Sequence, residues 1–256
     1  MFQLSVLHIN SAETWRGGER QTLLLAQGLG GHGITSCIAA SPGSALLVHA
    51  RAAQLPTLAV RIRSEWDVAA IIRLRRFIRK NRIPVVHAHT SHAHGAAAFA
   101  LLANRSTALV VTRRVDSPDS GRTGLSRIKY NRCNRIIAIS DKIRDNLIAG
   151  GMPQEKIVRI YSGIDTGKFA DMPKREKARE MLSVPSDAMI IGTIGALTRE
   201  KDHATLLQAA RAVCAEKPNA VFVIIGSGPE RKALEAQAEA LGIQNAVVFA
   251  GQRRDA

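Results

Sequence analysis

A chain of 256 residues, 46% hydrophobic and 4% aromatic, is long enough for one large domain or two small ones and has the aliphatic balance of a globular core. Lys plus Arg number 36 against 21 Asp plus Glu, a formal charge of +15, which asks for an anionic partner: nucleic acid, an acidic membrane surface or phosphorylated small molecules. Cys37, Cys133 and Cys214 form no Cys-x-x-Cys pair, which argues against a disulfide framework or thiolate metal site and suits a reducing cytoplasm. The start, MFQLSVLHINSAE, lacks a basic leader, and no run reaches the roughly 18 apolar residues of a membrane span.

Short apolar runs alternate with helix-length amphipathic segments. The run 4–9 leads into Thr14-Trp-Arg-Gly-Gly-Glu-Arg-Gln21 and a helical pattern at 19–29. Gly17 and Gly18 weaken both strand and helix, so either the backbone turns tightly at this junction or a ligand approaches closer than a Cβ would allow. Strands follow at 34–40 and 57–62, with a helix at 44–54 between them. In the next helix, 67–80, the helical period puts Ile71, Leu74 and Ile78 on one face and Arg73, Arg76 and Lys80 on the other. That basic face is either solvated or docks on an anionic bilayer.

The strand at 84–88 runs into Val86-His-Ala-His-Thr-Ser-His-Ala-His94. His87 and His89 sit at the strand end while His92 and His94 open the helix 92–103. With no carboxylate or cysteine adjoining them, a metal is not expected. A single histidine at the strand's carboxyl end, donating to a bound hydroxyl or phosphate, is the favoured role. After the strand 108–112, Arg113 and Arg114 are either surface charge or contacts for acceptor phosphates, and a second basic stretch covers 122–135. A strand at 135–139, a helix at 141–149 capped by Ser140-Asp141 and a strand at 157–160 complete this half.

The polar stretch 163–187, with Pro173 and Pro185, interrupts the alternation and is expected to carry one short helix. Strands at 189–194, 220–225 and 246–250 then alternate with helices at 202–216 and 229–241. This is an α/β pattern of parallel sheets covered by helices. Three strands fall short of the five or six usual for a doubly wound domain. The expected division is a first domain 1–165, a linker 166–187 and an incomplete second domain 188–256. Two loops of that second part carry chemistry. Ile194-Gly-Ala-Leu-Thr-Arg-Glu-Lys-Asp-His203 places Arg199 and Lys201 where a helix N-terminus points, as a diphosphate clamp or a solvated loop. Val223-Ile-Ile-Gly-Ser-Gly-Pro-Glu230 has Gly226 and Gly228 but Arg231 in place of a third glycine, which disfavours a nicotinamide or flavin.

These blocks in this order resemble the retaining glycosyltransferases of family four, whose GT-B fold sets two Rossmann-like domains across a cleft. WRGGERQTLLLAQGL, VVHAHTSHAHG, RIIAISDKIRDNLIAGGMPQEKIVRIYSGIDTGKF, IGTIGALTREKDHATLL and VFVIIGSGPERKALEAQAEALGIQNAVVFAG carry the likeness. The resemblance implies transfer of a sugar from a nucleotide-diphosphate donor to an acceptor hydroxyl with retention. It implies that Gly17 and Gly18 make room for the donor's phosphate and sugar, and that His89 reaches the reacting sugar or acceptor. Lys201, with Arg199, would neutralise the departing diphosphate, and Gly226 and Gly228 would line the donor side. Arg113 and Arg114 would meet the acceptor; Arg73, Arg76 and Lys80 would meet an anionic inner-membrane surface.

No Asp-x-Asp occurs, which fits metal independence; no cofactor is expected beyond the nucleotide-sugar donor substrate. The expected partners are that donor and a glycan or lipid-linked acceptor, in cell-surface glycan or lipopolysaccharide synthesis, with the protein cytoplasmic or peripheral on the inner membrane. Two departures stand out: Ala196 replaces an arginine frequent in the family, and the family's Glu-x7-Glu segment is not in the sequence, so a truncated chain is expected. The alternatives are a catalytically inactive fragment, a nucleotide-sugar epimerase or a basic nucleic-acid-binding protein. The last lacks an aromatic stacking platform.

Overall fold

The computed structural model describes residues 5–114, 124–170 and 172–253. The chain divides into two compact units, Met1–Ile164 and Asp165–Ala256. In the first, strands β1 (Ser5–Ile9), β2 (Thr35–Ala40), β3 (Thr57–Ala59), β4 (Val85–Ala88), β5 (Ala108–Arg113), β6 (Arg135–Ala138) and β7 (Ile157–Arg159) alternate with helices. The helices are α1 (Gly17–Gly30), α2 (Ala45–Ala52), α3 (Val68–Lys80), α4 (Ser91–Ala100), α5 (Gly124–Asn131) and α6 (Asp141–Ala149). The seven strands form one sheet in the order β3-β2-β1-β4-β5-β6-β7, and every pairing is parallel.

Helices cover both faces because successive side chains of each strand point opposite ways. Along β2, Cys37 and Ala39 join the cluster built on Leu7, Ile9, Val86 and α3 and α4. Ile38 and Ala40 pack with Ala26 of α1 and Leu46, Leu47 and Ala50 of α2. Helix α3 begins where Asp67 Oδ1 accepts from the Ala70 N–H, and it turns Ala70, Leu74 and Ile78 inward. Arg79 and Lys80 in its last turn oppose the negative end of the helix dipole. Replacing a fully buried leucine such as Leu74 by alanine should cost about 2–5 kcal/mol.

Helix α5 lies where the sequence showed only a basic stretch. Residues 115–123, which hold the first part of that stretch, lie outside the described residues. Within α5, Lys129 turns inward and donates from Nζ to Glu65 Oε1 at 2.6 Å. Glu65 crosses Gly95 of α4 so closely that a Cβ on that glycine would stand 2.5 Å from the Glu65 Cβ. This helix is therefore held by a polar partner 64 residues away as well as by Tyr130, which packs into the core.

The second unit contains α7 (Arg175–Leu182), β8 (Met189–Ile194), α8 (His203–Glu216), β9 (Ala220–Ile225), α9 (Arg231–Ala240) and β10 (Val247–Gly251). Its sheet has the order β10-β9-β8, again all parallel. Leu197, Leu207, Phe222, Ile224 and Leu234 form its core. The stretch read as a linker lies within this unit. Arg179 of α7 donates to the carbonyls of Pro185 at 2.7 Å and Ala188 at 2.9 Å, tying that helix to the start of β8.

Candidate functional site

In a parallel sheet, ligands gather beyond the carboxyl ends of the strands where the strand order reverses. Here that point lies between β1 and β4. The loops leaving these strands are bound together: the His89 N–H donates to Ile9 O at 2.9 Å, and Ser11 Oγ lies 2.7 Å from Thr90 Oγ1. Asn10 Nδ2 donates to Glu19 Oε1, while Glu19 Oε2 accepts from the Arg16 N–H at 3.0 Å. These bonds fix the start of α1, whose first-turn N–H groups lack intrahelical partners.

Gly17 and Gly18 open that helix. Neither has a positive φ, so a left-handed backbone is not what makes them glycine. A Cβ on Gly17 would meet nothing within 4 Å, and one on Gly18 would make an ordinary 3.5 Å contact with Arg114 Cδ. The space above Gly17 is open to a ligand, and the Arg114 side chain flanks Gly18.

Behind them sits a cluster of three buried histidines, His8, His87 and His89. His8 and His87 are register partners on β1 and β4. His8 Nδ1 lies 3.1 Å from His89 Nε2, and His8 Nε2 lies 3.3 Å from Ser36 Oγ. His87 Nε2 lies 2.7 Å from Thr112 Oγ1. Arg114 Nη2 lies 3.2 Å from His89 Nδ1. Burial pushes His8 down to about 4 and His87 to about 3, and holds His89 well below the usual histidine range, with neighbouring histidines and Arg114 adding to the shift on His87 and His89. All three are neutral at pH 7.

One nitrogen from each ring falls within 4.8 Å of the others, a spacing that a divalent cation can use. The surroundings do not suit one. No carboxylate or thiolate belongs to the group, and the Arg114 guanidinium points into it. Both ring nitrogens of His8 and His89 and the Nε2 of His87 are already engaged by Ser36, Arg114, Thr112 and one another.

The four closely spaced histidines therefore part company. His87 and His89 join His8, while His92 is exposed. His94 is buried in the core, with Nε2 3.1 Å from Cys133 Sγ and its ring edge-on to Tyr130. His89, expected to reach a sugar, has both ring nitrogens held by protein. Arg113, the last residue of β5, and Arg114, just beyond it, also separate. Arg113 acts electrostatically on His94, whereas Arg114 acts on His87 and His89. Arg114 Nε is buried with no partner. Arg73, Arg76 and Lys80 are exposed on α3. A hollow of about 700 Å³ lined by Arg75, Arg79, Arg82 and Thr107 lies at the amino-terminal edge of the sheet, away from the glycine loop.

In the second unit two loops are joined backbone to backbone. Gly195 N–H donates to Ile225 O, Leu197 N–H to Ser227 O and Glu230 N–H to Leu197 O, at 2.9, 3.0 and 3.1 Å. Gly226 has φ +150°, and a Cβ there would fall 1.8 Å from Gly195 O; at Gly228 it would fall 2.3 Å from Leu197 O. Both glycines were expected as donor contacts. The geometry gives them a packing reason of its own: the neighbouring loop occupies their side-chain space. What this joint presents is Arg199 and Lys201, both exposed, on a short 3-10 turn before α8. The Lys201 stem passes Gly195 at 3.9 Å from where a Cβ would be. A second hollow of about 390 Å³ borders Thr198, Arg199, Asp202, His203 and Glu230.

Several residues that shape the site carry no signal along the chain. His8 reads as one letter in an apolar strand, and Ser36 and Thr112 as strand polars. Asn10 and Glu19 could have been found as side chains flanking the glycine pair. His203 opens α8 almost fully buried with Nδ1 unpartnered.

Residues 15–168 match the family model Glycosyltransferase Family 4, and 174–256 match Glycosyl transferases group 1. The chain is 33% identical over 141 residues to a D-inositol 3-phosphate glycosyltransferase of Corynebacterium urealyticum, covering 52% of this chain and 33% of that protein. It is 32% identical over 84 residues to the lipopolysaccharide core biosynthesis glycosyltransferase LpsD of Rhizobium meliloti, covering 33% of this chain and 23% of LpsD. These matches span a third or less of the relatives' own lengths. The fold superposes on Anabaena HepE solved in complex with UDP-glucose with a TM-score of 0.81, at 20% identity, over 98% of this chain and 70% of HepE.

Proposed function

Because the chain belongs to Glycosyltransferase Family 4, we propose that it moves a sugar from a nucleoside-diphosphate donor to an acceptor hydroxyl. The observation that carries this reading is the loop joint of the second unit, which holds Arg199 and Lys201 rigidly ahead of α8. In the reaction, the bond between the anomeric carbon and the diphosphate oxygen breaks, and the acceptor oxygen takes its place while losing its proton. The main demand is stabilisation of the charge that builds on the departing diphosphate. Two cations beside a helix N-terminus meet that demand without a metal.

In the first unit, Gly17 and Gly18 leave room for a phosphate or sugar oxygen to approach the free N–H groups of α1. Arg114 lies beside them as the positive group. Transfer proceeds with retention, as the resemblance to the retaining family implies. A UDP-type donor and a cell-surface glycan acceptor are supported by the relatives' names, UDP-glucose for HepE and lipopolysaccharide core for LpsD.

The acceptor is brought in at a membrane surface. Among the described residues no helix is long and apolar enough to cross a membrane. Helix α3, however, carries Arg73, Arg76 and Lys80 in the open, with Val68 and Ile72 of α3 and the nearby Trp66 exposed.

Calorimetric titration with UDP, in buffer containing a metal chelator, tests the reading. Binding should survive the chelator and weaken about tenfold or more in Lys201→Ala, as expected for losing a charge-assisted contact. Binding indifferent to Lys201, or no binding, overturns it. Donor turned over without any acceptor would point instead to epimerisation.

A further inference from the structure

The histidine cluster has a direction that follows from one residue. A guanidinium only donates hydrogen bonds, so at 3.2 Å the Nδ1 of His89 accepts from Arg114 Nη2. A neutral imidazole carries a single N–H, which in His89 is then on Nε2. That N–H faces His8 Nδ1 at 3.1 Å and donates to it. The His8 proton is thereby placed on Nε2, where it donates to Ser36 Oγ at 3.3 Å. The chain runs one way from Arg114 through His89 and His8 to Ser36. Both rings are buried to 5% exposure or less, where reversing a link would leave two donors or two acceptors opposed and unsatisfied.

We propose that Arg114 is a positioning residue for His89: its donation fixes the proton on Nε2 of His89 and, one link further, on Nε2 of His8. His89 consequently turns an acceptor nitrogen, not an N–H, toward the side where Arg114 rests against Gly18. This rests on the glycine loop being the donor's seat and sharpens it. A hydroxyl of the sugar or acceptor can donate to His89 Nδ1 once Arg114 yields that place, whereas a phosphate oxygen cannot be bound there. Ligand oxygens that need a donor are left to Arg114 itself. His8 acquires a role as the acceptor of the His89 Nε2 proton, while the Ser36 hydroxyl, able to donate or accept, follows the direction that Arg114 sets.

The test uses the full chain with isotopically labelled histidine ring nitrogens and no nucleotide, and reads the tautomer of each ring from proton–nitrogen correlation spectra. His8→Asn assigns the His8 signals by their loss. In the unsubstituted protein both His8 and His89 should carry the proton on Nε2. Arg114→Lys, which keeps a donor, should preserve the pattern; Arg114→Leu should shift the ring-nitrogen signals of both histidines together. Either ring protonated on Nδ1 in the unsubstituted protein overturns the proposal, and so does a His8 pattern that ignores Arg114→Leu. The first of these needs no variant to fold. Since no nucleotide is present, failure of UDP binding leaves the tautomer result intact, and a contrary tautomer leaves the donor reading standing.

Discussion

Two glycine pairs mark the two units, and they are glycines for opposite reasons. Gly17 and Gly18 stand in a helical first turn with their side-chain positions open or in ordinary contact. Gly226 and Gly228 stand where the backbone of 195–197 fills the space a Cβ would need. The first pair is unexplained by the fold of its own unit, and the second is fully explained by it. A glycine that its own protein does not require is the better pointer to a ligand. By this measure the Gly-x-Gly of the second unit, which looks more like a nucleotide motif, is the weaker pointer of the two.

Substitution should separate the pairs most sharply at Gly226. Alanine there would combine a left-handed φ with a 1.8 Å collision against a carbonyl oxygen, and neither backbone can yield without breaking the bonds that join the loops. Gly226→Ala should cost about 4 kcal/mol or more in urea unfolding. A loss under about 1 kcal/mol would mean that the joint is not rigid.

Acid should act next, and on the first unit. The histidines held low by burial, His8, His87, His89 and His94, all lie there. Their folded pKa values are depressed, so below about 6.5 the unfolded chain binds protons that the folded one refuses. Stability is complete above that pH and falls as the pH drops toward about 4 for His8 and about 3 for His87 and His94. At pH 4, His8 alone should remove on the order of 3 kcal/mol. Fluorescence of Trp15 and Trp66, both in the first unit, would follow the transition. A profile flat down to pH 4 would contradict the burial of the cluster.

How far the sequence carries is visible in the same two places. The strand at 220–225 is a short uninterrupted apolar run, and the structure has it at Ala220–Ile225, buried along most of its length. A largely buried strand of this kind needs no long-range information to be seen. His89 was also visible, because a histidine at a strand's carboxyl end stands out. Its partners were not: His8 lies 81 residues away and Ser36 is 28 residues from His8, and only strand order brings β1 between β2 and β4. Helix α5 was missed for a related reason. Its buried Lys129 looks like surface charge until Glu65 is placed beside it. Gly226 and Gly228 show a pattern that matches a ligand loop, and only the structure shows that the backbone of 195–197 also fills their side-chain space.

Gly17→Ala should reverse the sign seen at Gly226. Alanine fits the helical first turn with nothing within 4 Å, so the folded state should gain up to about 1 kcal/mol from the lower entropy of the unfolded chain. Sugar transfer should nevertheless fall, because the methyl group occupies the space proposed for the donor. A variant more stable and equally active would show that this space is not used.

The smallest effect on stability is expected from α3. Replacing Arg73, Arg76 and Lys80 together by glutamine changes only exposed side chains, none of which belongs to an ion pair among the described residues, so unfolding should move by no more than about 0.5 kcal/mol. Affinity for anionic vesicles should drop steeply, since each lysine or arginine near such a surface contributes about 1 kcal/mol. Added salt should release the unsubstituted protein, and the variant should start from much weaker binding with a shallower salt dependence, because fewer charges remain to be screened. Sedimentation with vesicles at two salt concentrations decides it. If the triple variant binds as tightly and salt releases it as readily, the contact lies elsewhere on this strongly basic chain, with the arginines around Thr107 the next to change.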